Sequence, residues 1–168
     1  MNSHQLIRAV GPEVQEQIIQ YLQNEERGAY RGVVQSLAQR RKLRPVYVEK
    51  KTKPEQAAWI AQQLVLKLND DITAQVLQIW LLKGQVEMLT IFLDAVDIAH
   101  DGKGQVEELP EEIPEAKATS GIDALLAKYP AKQVALYLYF FQMQRPEGWP
   151  GLTAAIEAKP ELKLEVSA

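Results

Sequence analysis

The sequence predicts an all-α protein: an irregular helical bundle, or a short solenoid-like array of α-hairpins, with seven to nine helices. Three observations lead there. Apolar residues recur at helical spacing through most of the 168-residue chain. Proline and capping residues stand where those runs begin, at Gly11-Pro12, at Thr52 to Glu55 and at Pro130. Period-two alternation is confined to residues 46–48 and 162–166, which if paired would add one minor two-stranded element.

In chain order, Ser3 caps a short helix through Leu6, Ile7 and Val10 that Gly11-Pro12 ends. Pro12 suits the first turn of the next helix, where its missing N–H is not needed. Val14, Ile18, Tyr21 and Leu22 make one stripe down to about Asn24. A third helix over residues 28–41 turns Tyr30, Val33, Val34, Leu37 and Ala38 inward. Arg44 precedes Pro45, which biases it toward extended geometry. Val46, Tyr47 and Val48 then read as an edge strand, with the tail residues Leu162, Leu164 and Val166 as its partner. Thr52 and Glu55 have capping-box spacing, and Ala57, Ile60, Leu64 and Leu68 carry a helix to Asn69.

Residues 70–96 read as the hub. Val76, Leu77, Ile79, Trp80, Leu81 and Leu82 leave almost no polar face. Lys83-Gly84 resembles a helix end with glycine at the left-handed cap. Val86, Leu89, Leu93 and Val96 continue at helical spacing, which predicts an antiparallel pair joined at Gly84. Residues 100–118 carry Gly102, Gly104, Pro110, Pro114 and five glutamates, the signature of an acidic surface loop. Ser120 with Asp123 signals the next helix cap. Pro130 opens an apolar helix with Val134, Leu136, Leu138, Phe140 and Phe141. Residues 145–151 form a turn cluster before a last helix over residues 152–158.

The length suits one domain over residues 1–168. The acidic loop offers a subdivision: a helical core at 1–99, the loop at 100–118, a C-terminal helical part at 119–160 and a tail at 161–168. Pro54-Glu55 and Pro114-Glu115 each precede a helix pair. With a two-residue gap these segments also share Ala58 with Ala118, Leu66 with Leu126, Gln75 with Gln133 and Val76 with Val134. That spacing is what a helical repeat would show.

Composition narrows the chemistry. There is no cysteine, so disulfides, thiolate zinc sites, iron–sulfur clusters and cysteine nucleophiles are excluded. The N-terminus has no signal-peptide run, and the longest unbroken apolar run, residues 134–141, is far short of the roughly twenty residues of a membrane helix. The expectation is a soluble cytoplasmic protein without a membrane partner. Asp94, Asp97, His100 and Asp101 have spacing that would suit a divalent metal. The alternative is a solvated helix end, favoured because the only other histidine, His4, lies at a terminus expected to fray. No structural metal and no cofactor are expected. Gly102-Lys103-Gly104 falls short of any phosphate-binding motif. No GxSxG occurs, and two histidines leave little for a triad. The aromatic set Trp59, Trp80, Trp149, Tyr137, Tyr139, Phe140 and Phe141 reads as core, with Trp149 the member expected to be exposed or to cover another surface.

Charge segregation is the feature that stands out. Residues 27–53 hold nine basic side chains and one acid, Glu49, a local charge of +8; the rest of the chain carries −11. The expected polyanion- or partner-binding residues are Arg40, Arg41, Lys42, Arg44, Lys50 and Lys51, with Tyr30 and Tyr47 as stacking surfaces. Three functions follow in order: a non-enzymatic helical protein-interaction module that self-associates, even as a homodimer; a nucleic-acid-binding protein using residues 27–53; and an enzyme with a carboxylate-based site.

Overall fold

The computed structural model describes residues 1–165. Among the described residues there are ten α-helices and no strand, and about 70% of the fold is helical. The helices are α1 (Ser3–Val10), α2 (Pro12–Glu25), α3 (Arg27–Arg40), α4 (Pro45–Glu49), α5 (Lys53–Leu64), α6 (Asp70–Ile79), α7 (Val86–Ala95), α8 (Glu115–Leu126), α9 (Ala131–Gln142) and α10 (Pro150–Glu157).

The two-stranded element is not formed. Pro45 occupies the first turn of α4, so the residues expected to be an edge strand are helical instead. Proline's fixed φ suits a helix start as well as a strand edge, and local propensity cannot choose between them. Leu162 is buried in a short 3-10 turn, Pro160–Leu162, and Val166 lies outside the described residues.

The chain divides into two compact units, Asn2–Trp80 and a second beginning at Leu81. Residues 70–96 are therefore not one hub. Helix α6 belongs to the first unit and α7 to the second. Gly84 does not adopt a left-handed cap; it ends a single π-helical turn, Trp80–Gly84.

In the first unit, α1 packs against α2 and α6, α2 against α3 and α5, and α3 against α4. Leu6, Ile7, Ile18, Leu37, Leu64 and Leu77 are fully or almost fully buried there. The N-terminus is not frayed. His4 is buried, and the Asp70 carboxylate accepts from its backbone N–H at 2.8 Å and contacts its Nδ1 at 2.6 Å. A carboxylate at the first turn of α1 satisfies an otherwise orphan donor and complements the helix dipole. The expected capping of α5 is present: Thr52 Oγ1 accepts from the Glu55 N–H. Helix α5 stops at Leu64 rather than Asn69, and a 3-10 turn, Lys67–Asn69, intervenes before α6.

In the second unit, α8 packs against α7, α9 and α10. Helix α8 begins at Glu115 with Pro114 as its cap, so Ser120 lies inside the helix and the loop is shorter than expected. Phe92 meets Tyr137 and Phe141 edge-on, at ring-centroid distances of 5.6 and 5.7 Å. Phe141 stacks on Trp149 at 5.0 Å. Trp149 is 0% exposed, so of its two expected places, exposed or covering another surface, the exposed one is overturned: its ring completes this aromatic core.

Candidate interaction surface

The basic segment folds into a corner between α3 and α4. Helix α3 ends in a Schellman motif: Leu43 N–H reaches Ala38 O at 2.8 Å and Lys42 N–H reaches Gln39 O at 3.0 Å. Lys42 takes the left-handed conformation, φ 55°, that glycine usually supplies there. The reversal sends Arg44 into extended geometry and lets Pro45 start α4. A five-residue helix turns only one side inward. Val48 is fully buried, while Val46 and Tyr47 are left 46% and 53% exposed.

The six expected binding residues separate into three situations. Arg40 is engaged within its own unit. Its guanidinium forms a fork with the Asp71 carboxylate at 2.6 and 2.7 Å and donates to Leu68 O at 2.8 Å. That fork holds the Asp71 carboxyl down at about 2. Arg41, Lys42, Arg44 and Lys50 are exposed and have no carboxylate partner among the described residues. Lys51 lies over the Tyr47 ring, with Nζ 4.9 Å from its centroid. Of the two tyrosines, Tyr30 is half-buried and its hydroxyl is engaged within the unit. Its hydroxyl donates to Gln56 at 2.5 Å and accepts from Gln23 at 3.2 Å. The corner thus exposes basic side chains in the same short stretch as two apolar ones, Val46 and Tyr47.

The acidic loop is the other charged surface. Helix α7 also ends in a Schellman motif, with Ile98 N–H on Leu93 O and Asp97 at φ 57°. The loop beyond is fastened. Gly104 is buried against Leu89, where a Cβ would fall 2.8 Å from a leucine methyl. The Pro110 carbonyl accepts from Trp149 Nε1 at 2.8 Å and from Arg145, whose guanidinium also bonds the Glu111 carbonyl. Ile113 is buried. Glu107, Glu108, Glu111 and Glu112 remain exposed and have no cationic partner among the described residues, and Leu109 between them is 38% exposed.

The expected metal-type cluster is used locally. His100 Nδ1 accepts from the Gly102 N–H at 3.0 Å, so Nε2 carries the proton and donates to Asp94 at 2.7 Å. Asp97 pairs with Lys117. Asp101 accepts from the Lys103 and Gln105 N–H groups, and those bonds hold its pKa below the usual carboxylate range. No three His, Cys, Asp or Glu side chains converge to hold a metal ion among the described residues. A cleft of about 680 Å³ lies beside the loop, lined by Asp97, His100, Asp101, Glu107, Glu108 and Glu111. A general acid there would need its pKa raised by burial, whereas the Asp101 carboxylate is stabilised in its charged form.

No helix among the described residues is by itself long and apolar enough to cross a membrane. The class defined by fold and surface is an all-α protein with a basic corner that also exposes apolar side chains. The chain matches no protein-family model, no curated protein and no solved structure.

Proposed function

We propose that the protein is a non-enzymatic helical interaction module whose α3–α4 corner docks an acidic protein segment. One observation carries this reading: Arg41, Lys42, Arg44 and Lys50 are exposed, without a carboxylate partner among the described residues, in the same stretch as exposed Val46 and Tyr47. Exposed ion pairs contribute only about 0–1 kcal/mol each, so the basic side chains would chiefly steer encounter and select charge. Burial of Val46 and Tyr47, at about 25 cal/mol per Å², would supply most of the affinity. Binding should therefore weaken with salt but not vanish.

Exposed Tyr47 supports a second reading, in which a single-stranded nucleic acid stacks on the ring and its phosphates meet the basic side chains. Fluorescence anisotropy at low salt separates the two. The probes are a peptide alternating glutamate and leucine, its lysine counterpart and a single-stranded oligonucleotide. The acidic peptide should bind, Tyr47→Ala should remove most of the binding, and the pair Arg41→Glu with Arg44→Glu should weaken it and remove its salt dependence. Tighter binding of the oligonucleotide would favour the second reading. Loss of neither ligand in these variants would remove the corner from consideration.

A further inference from the structure

We infer that the segment docking on the α3–α4 corner is residues 107–112 of a second copy of this chain. The inference rests on the corner being a docking surface for acidic protein. It adds the identity of the occupant from complementarity on the same molecule. The corner exposes Val46 and Tyr47 in a stretch of exposed basic residues. Residues 107–112, Glu-Glu-Leu-Pro-Glu-Glu, present Leu109 in a stretch of exposed glutamates. Among the described residues the exposed large hydrophobic side chains are Met1, Val46, Tyr47, Leu68 and Leu109. Three of these five therefore fall within the two oppositely charged stretches, Val46 and Tyr47 in the basic one and Leu109 in the acidic one.

Presentation of the segment favours the same conclusion. Pro110 biases Leu109 toward extended geometry. The Pro110 carbonyl is held by Trp149 and Arg145, and the chain is anchored on either side by buried Gly104 and Ile113. A segment already ordered loses little conformational entropy on docking. The two surfaces are different patches, so the contact is head-to-tail: each copy offers one corner and one loop. Such an assembly grows beyond a dimer with concentration, or closes into a ring. Its small apolar contact belongs to the weak, transient class of interfaces.

Sedimentation velocity over a concentration series, at low and at high salt, tests this. Three proteins are compared: the wild type, an acid-reversed variant (E107K, E108K, E111K, E112K) and a base-reversed variant (R41E, R44E, K50E). All changes are on exposed side chains, and far-ultraviolet circular dichroism checks that each variant is folded. The wild type should gain mass with concentration at low salt and lose it at high salt. Each variant alone should sediment as one chain. An equimolar mixture should regain the assembly, because each variant's loop then meets a corner of opposite sign. Leu109→Ala should weaken association about tenfold without altering net charge. A wild type of single-chain mass at every concentration overturns the inference, as does a mixture that fails to reassociate. If the glutamate–leucine peptide still binds a single-chain wild type, the corner remains a docking surface and only the second copy is excluded. If neither assembly nor peptide binding occurs, both readings fall.

Discussion

Gly151→Ala is the sharpest test of the packing in the second unit. Gly151 lies in the first turn of α10, against the backbone that leads into α8. A Cβ at this position would lie 2.0 Å from the Ile113 carbonyl oxygen and 3.0 Å from the Glu115 nitrogen. Carbon and oxygen in close contact sit at about 3.3 Å, so the two segments must part by about 1 Å. Both neighbours are backbone and cannot rotate away. Such overpacking costs about 3 kcal/mol, and the helix-propensity gain of alanine returns at most about 1 kcal/mol. The net expected loss is about 2 kcal/mol, or about 4–8 °C in Tm for a chain of this length. Gly32→Ala is the control. Gly32 is exposed in the middle of α3, nothing lies within 4 Å of its added Cβ, and its φ is not positive. That substitution should stabilise by about 0.5–1 kcal/mol. Urea denaturation of both variants measures the pair. Two effects of the same sign, or a Gly151→Ala loss under about 0.5 kcal/mol, would refute the argument from close backbone approach.

Three further outcomes are expected. Tyrosine absorbance should not titrate as one group near the ordinary value of about 10: burial and the hydrogen bond to Glu87 push Tyr129 up to about 12, and burial pushes Tyr137 higher. Six tyrosines ionising together in the folded protein would contradict those environments. Tyr137→Phe removes a buried hydroxyl that has no partner among the described residues, so stability should hold or rise by about 1 kcal/mol; a clear loss in denaturant midpoint would mean the hydroxyl is satisfied. Asp71 has a folded pKa of about 2, below its ordinary 3.8, so the Arg40–Asp71 fork stabilises the fold above about pH 5 and loses its effect as pH falls toward 2. Because the pair is largely exposed, the gain is under about 1 kcal/mol. The Tm difference between wild type and Asp71→Asn should shrink over that pH range, and a difference that grew on acidification would invert the sign.

The sequence by itself determined the class of fold, the starts of α2, α5 and α9, and much of the core. Helical periodicity and proline placement are local properties, and Pro12, Thr52 and Pro130 act within a turn of their own positions. The basic stretch itself is legible for the same reason, since charge along the chain is read residue by residue. What local rules could not reach was decided by distant partners. Pro45 begins a helix because Val48 finds a buried site, which no strand propensity at Val46 and Tyr47 could outweigh. Arg40 leaves the set of exposed basic residues because Asp71, 31 residues on, takes its guanidinium. Trp149 looks like a loop tip in sequence, yet it is buried by Phe141 and by the Pro110 carbonyl 39 residues earlier. An apolar run such as residues 70–96 reveals burial but not in which core: the stretch supplies α6 to one unit and α7 to another, and only the tertiary contacts make that division.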